Sequence, residues 1–113
     1  MPNSSFVIQT ASQITKELGL EDNVLGQPDG LEMLRQRVAA VVEYLLEKDF
    51  EKLLNLLYIM DVSEEKIKVA LNTPAVDIHF LIADIIIERE WQKVESRIMY
   101  KQEKLDDEES WDF

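Results

Sequence analysis

Four cations, Arg89, Lys93, Arg97 and Lys101, recur at every fourth position near the end of the chain, with Lys104 close by. That spacing stacks them on one face of a helix, where they form a basic ridge. The ridge has three chemical uses. It can pair with Glu90, Glu95 or Glu103 at helical neighbour positions. It can meet an acidic surface such as Glu43, Glu47, Asp49 and Glu51, within the chain or across a dimer. It can also track phosphates, although no aromatic platform or glycine-rich loop accompanies it. Upstream, Asp77, Asp84 and Glu88 fall on one line at about 100° per residue. Oxygen donors of that kind suit magnesium, calcium or manganese. The Glu-x-x-His signature of di-iron carboxylate bundles is missing, and no acidic group is placed to face them from another helix, so a solvated stripe accounts for them. His79, the only histidine, points about 200° away from Asp77 and reads as a satisfied core side chain, since no acid or nucleophile is in evidence to make it a general base. The serines sit at caps and surfaces, and neither a nucleophile elbow nor a phosphate loop occurs. No catalytic residue, metal ligand, cofactor or small-molecule substrate is identified.

The elements that position these residues are helical. Val7, Ala11, Ile14 and Leu18 share an arc from Ser5 to Leu18, and Gly19 follows as a stop. Glu21 to Gly30 reads as a loop. Leu34, Val38, Val41, Val42 and Leu45 define a second helix from Leu31 to Lys48. Asp49 caps a third, Phe50 to Met60, whose apolar residues cover so much of its circumference that it should be the most buried element. Ser63 caps a short fourth, with Val62 stapled onto Ile67. Thr73 as cap and Pro74 at the first helical position open the fifth, which should run to about Leu105. Its roughly 32 residues would reach about 48 Å, longer than the roughly 34 Å diameter of a domain this size. The expectation is an all-α, compact four- to five-helix bundle with a long C-terminal helix extending beyond the core: residues 1–105 form one helical domain and 106–113 an acidic, aromatic tail. Past Glu88 the apolar surface thins to Trp91, Val94, Ile98 and Leu105, a seam suited to one partner helix.

Composition narrows the function classes. The chain has 113 residues, 46% of them hydrophobic, and no cysteine, which removes disulfides, thiolate chemistry and cysteine-held metals. The net charge of −11 opposes attraction to nucleic acid or to an anionic membrane. Residues 1–87 hold seven Lys/Arg against fourteen Asp/Glu, 88–104 five against four, and 105–113 none against five, so the end of the last helix is the one locally basic segment. The N-terminal residues lack a basic and apolar leader pattern and the most apolar run is short, so a cytoplasmic protein is expected.

Two resemblances add to this. The strings Leu56-Leu57-Tyr58-Ile59-Met60-Asp61-Val62-Ser63-Glu64-Glu65-Lys66 and Ile86-Ile87-Glu88-Arg89-Glu90-Trp91-Gln92-Lys93-Val94 resemble segments of small uncharacterised bacterial cytosolic proteins, a likeness spanning about residues 31–101. It implies a bacterial, cytosolic origin and brings no activity or ligand. The end, Asp106 to Phe113, resembles in outline the acidic tails by which bacterial single-stranded-DNA-binding proteins dock partner enzymes. It departs from them at Trp111-Asp112, where those tails carry an aliphatic residue and proline. That resemblance implies tail docking through Trp111 and Phe113. The reading reached is a non-enzymatic protein–protein interaction or scaffolding module. It self-associates as a homodimer or docks on another protein through Trp91, Val94, Ile98, Leu105, Arg89, Lys93, Arg97 and Lys101. The alternatives are an acidic inhibitor or nucleic-acid mimic that occupies a basic groove, and, ranked lower, a carboxylate-metal enzyme.

Overall fold

The structure, a computed structural model, describes residues 4–74 and 77–110, with side chains placed up to Lys101. Six helices and no strands occur among the described residues: α1 (Ser4–Leu18), α2 (Asp22–Leu25), α3 (Leu31–Lys48), α4 (Phe50–Ile59), α5 (Glu64–Asn72) and α6 (Ile78–Ser110). The protein is an all-α bundle with a long last helix. Its Cα radius of gyration is 16.2 Å and its principal extents are 59 × 29 × 26 Å. A globule of this length would have a radius near 13 Å, and the excess reflects the 33-residue rod of α6, about 50 Å long.

The helix boundaries follow from local chemistry. Gly19 at φ +66° ends α1, where the Leu20 amide reaches back to the Thr15 carbonyl. Asp49 caps α4 by accepting from the Lys52 amide at 3.1 Å, and Ser63 caps α5 by accepting from Lys66 at 3.4 Å. At the end of α4, Asp61 takes the left-handed conformation while the Val62 amide bonds the Leu57 carbonyl, a Schellman closure without glycine.

Three expectations need correction. The last helix starts at Ile78, not at Thr73-Pro74. Proline forces the residue before it out of the helical region, so Thr73 is extended. Its hydroxyl donates backward to the Val69 carbonyl and closes α5 rather than opening α6. The loop from Glu21 to Gly30 contains the single turn α2, which buries Leu25 and receives the Arg37 guanidinium on the Leu25 carbonyl at 2.6 Å. Finally, α4 is not the most buried element: Leu53, Leu57 and Met60 are inside, while Phe50, Leu54, Tyr58 and Ile59 face solvent.

The core lies between α3, α1 and the first half of α6, which contributes Ile82, Ala83, Ile86 and Ile87. Helix α3 runs antiparallel to α6, since Arg35 meets Asp84 and Glu43 lies beside His79. The bundle therefore holds α6 from Ile78 to about Arg97, burying it as far as Val94, and leaves the rest of its length projecting.

Candidate interaction surface and a buried carboxyl cluster

Along the gripped half, the acidic line is paired with cations. Arg35 clamps Asp84 through two hydrogen bonds of 2.6 and 3.2 Å and stacks over the Phe80 ring at 4.6 Å. Lys66 of α5 reaches Glu88 at 3.0 Å. These two carboxylates bind basic side chains of different helices and, with Asp77, remain exposed to solvent as the expected stripe would be. No group of three or more metal-ligating side chains comes together among the described residues. His79 is half-buried, with its ring 4.7 Å from Phe80 and Nε2 3.9 Å from Glu43.

The basic ridge faces the bundle, but its intrachain partners are not the acidic group at the junction of α3 and α4. Arg89 donates to the carbonyl and carboxylate of Asp61, fastening the left-handed end of α4. Lys93 donates to both oxygens of Glu17 on α1, at 3.0 and 3.1 Å. Arg97 donates to Gln13 at 2.8 Å, and Gln13 in turn donates to Glu17 at 3.2 Å. Lys101 is exposed.

Two residues of the apolar seam also contact α1 or the interior. Trp91 stacks against Phe6 with ring centroids 4.1 Å apart, and Val94 is 1% exposed. Trp91 and Lys93 point about 200° apart on α6. Helix α1, which touches both, therefore straddles α6 like a strap, with Phe6 on one flank and Glu17 on the other. Beyond Val94 every residue from 95 to 101 is exposed, although Arg97 still reaches Gln13 of α1. Ile98, Met99 and Tyr100 are 38%, 57% and 62% accessible on successive positions, so they point in three directions about 100° apart. The side chain of Leu105, and Trp111 and Phe113 of the tail, lie outside the described residues.

Under the strap sits a residue whose sequence position suggested a surface ion pair. Glu90 is 0% exposed. Its Oε1 lies 3.4 Å from Lys93 Nζ, and its Oε2 is buried without a partner among the described residues. Burial first, and then the adjoining Glu17 carboxylate, push the Glu90 carboxyl up to about 8, with Lys93 opposing only in part. For Glu17, burial acts upward, but hydrogen bonds from Glu90, Lys93 and Gln13 outweigh it and hold its carboxyl below the ordinary value. Glu90 therefore holds its proton to a higher pH than an ordinary carboxyl, while Glu17 gives its proton up more readily. The signal for this burial is in the sequence: Glu90 is four residues from Ile86, four from Val94 and seven from Ala83, inside the apolar arc.

Two concavities flank α6. A groove of about 940 Å³ between α4, α5 and α6 is lined by Leu54, Tyr58, Ile67, Leu71 and Ile85, with charged side chains at its edge. A recess of about 650 Å³ beside Leu31, Ile87 and Trp91 lies on another flank. Among the described residues, no helix is long and apolar enough to cross a membrane. Compared with family models, curated proteins and solved structures, the chain matches none of them.

Proposed function

We propose that this protein is a helical interaction module whose working surface is the projecting end of α6, paired with the same segment of a second copy. One observation supports the reading above the others: Ile98, Met99 and Tyr100 are exposed where α6 leaves its own bundle, and Ile98 continues the line of Trp91 and Val94. A single exposed apolar side chain is ordinary, but Ile98 on the line of Trp91 and Val94, with Met99 about 100° to one side, is a surface that a partner helix can cover. Symmetric pairing is the commonest way to cover such a patch, because one surface serves both partners. The reading involves no catalysis and no cofactor, and it places the protein in the cytoplasm.

The chain has no cysteine, so one introduced at the seam is a clean reporter. Met99→Cys should form an intermolecular disulfide rapidly under mild oxidation, while Lys16→Cys, on the exposed face of α1, should not. Equal crosslinking by both variants, or by neither, would remove the symmetric contact.

A further inference from the structure

Glu90 is in an unusual position for an acid. Its side chain is fully enclosed, one of its oxygens has no partner among the described residues, and its neighbour across the α1–α6 contact is another carboxyl. A single ammonium, Lys93 Nζ, serves both acids. With both acids ionised, the cluster holds two negative charges on one positive charge, with the Glu90 side chain fully buried and those of Lys93 and Glu17 20% and 21% exposed. A proton on Glu90 supplies the donor that the contact with Glu17 lacks and leaves the cluster neutral.

Charged groups elsewhere are engaged otherwise. On α3, Arg35 pairs with Asp84 and Glu32, Arg37 holds the Leu25 carbonyl, and Glu43 lies beside His79. Asp61 after α4 holds Arg89, and Lys66 of α5 holds Glu88. On α6 itself Arg97 faces Gln13, one step removed from Glu17. The charges acting on Glu90 are Glu17 and Lys93.

We propose that a proton shared between Glu90 and Glu17 fastens the strap of α1 over α6, and that loss of this proton loosens the contact without lifting α1 out of the core. Val7, Ala11, Ile14 and Leu18 keep α1 in the core, and its contact with α6 is fastened at two further points, the carboxyl cluster on one flank and the Phe6–Trp91 stack on the other, with Val94 and Glu90 buried. When the proton leaves for solvent, an uncompensated charge is enclosed beneath α1. Loosening the contact lets water reach that charge and disturbs the Phe6–Trp91 stack, while the core residues of α1 stay in place.

The test uses the full chain in a Trp111→Phe background, so that Trp91 alone reports. At dilution and moderate salt, its fluorescence and near-ultraviolet circular dichroism are followed from pH 6 to 9.5. The Phe6–Trp91 signature should be lost with a midpoint near pH 8 while the far-ultraviolet helix signal persists, and Glu90→Gln should keep the signature throughout. An unchanged Trp91 signal in the parent chain, or the same midpoint in Glu90→Gln, overturns the proposal. If Glu90→Gln does not fold, the carboxyl carbon resonance of Glu90 in the parent chain decides. Its titration must coincide with the Trp91 transition, and a carboxyl already ionised at pH 6 refutes the strap. Because these readouts come from one chain, they stand or fall apart from dimerisation, which is read separately by light scattering at pH 6.5 and 9.

Discussion

Replacing Glu90 with glutamine should change how the stability of this protein depends on pH. In the folded chain the Glu90 carboxyl titrates at about 8, whereas the unfolded chain has the ordinary value of 4.5. Between those values the native state binds a proton that the unfolded state has released, so stability falls as pH rises. The slope approaches about 1.4 kcal/mol per pH unit. From pH 5 to 8 the loss amounts to about 3–4 kcal/mol, a large part of the roughly 5–15 kcal/mol that holds a small domain together. Glu17 acts in the opposite sense. Its lowered value contributes stability that is complete above the carboxylate range and disappears on acidification. Glutamine has the shape of the protonated acid and can donate to Glu17, but it cannot ionise. Glu90→Gln should therefore match the parent near pH 5, exceed it by several kcal/mol at pH 8, and lack the downward slope between them. Urea unfolding followed by circular dichroism at half-unit intervals measures this directly. The only histidine is His79, so His79→Gln in both backgrounds removes the other side chain whose ordinary charge change falls in that window. Parallel pH curves for parent and Glu90→Gln would refute the enclosed, protonated carboxyl.

Two further substitutions test the backbone chemistry that ends and begins the helices. Gly19→Ala meets no neighbouring atom but must hold φ +66°, so it should destabilise by about 1–2 kcal/mol through backbone strain alone, read as a lower urea midpoint with unchanged slope. Asp49→Ala removes the acceptor for the Lys52 amide and should lower stability by about 1 kcal/mol, whereas Asp49→Ser should restore most of it.

The parts of this architecture legible in the sequence are those fixed by local periodicity and capping. The bounds of α3 can be read from the spacing of Leu34, Val38, Val42 and Leu45, and Asp49 and Ser63 announce the helices they cap. The single turn of α2 is too short for any periodicity to register. Thr73 and Pro74 carried two compatible meanings, the end of one helix and the start of the next, and the choice depended on whether the threonine hydroxyl bonds forward or backward. The basic ridge was legible as a face of α6, but its partners were not. Lys93 meets Glu17 across 76 positions of sequence, and only the crossing of α1 over α6 brings them together. Glu90, beside Arg89 and Lys93 in sequence, reads as a surface acid by its neighbours, although its spacing from Ile86 and Val94 already puts it inside the apolar arc. The exposure of Tyr58 and Ile59 likewise depends on how little of α4 other helices cover, which composition does not encode.

The central claim is that the end of α6 joins one chain to a second copy. Its most direct test is the molar mass in solution by light scattering after size exclusion, at moderate salt over a tenfold concentration range, for the parent and for Met99→Lys combined with Tyr100→Lys. The account predicts twice the 13.2 kDa of the chain for the parent, and a shift toward that single mass for the variant with its helix content intact. A parent that elutes as a clean monomer at every concentration, or a variant that stays dimeric, would contradict it.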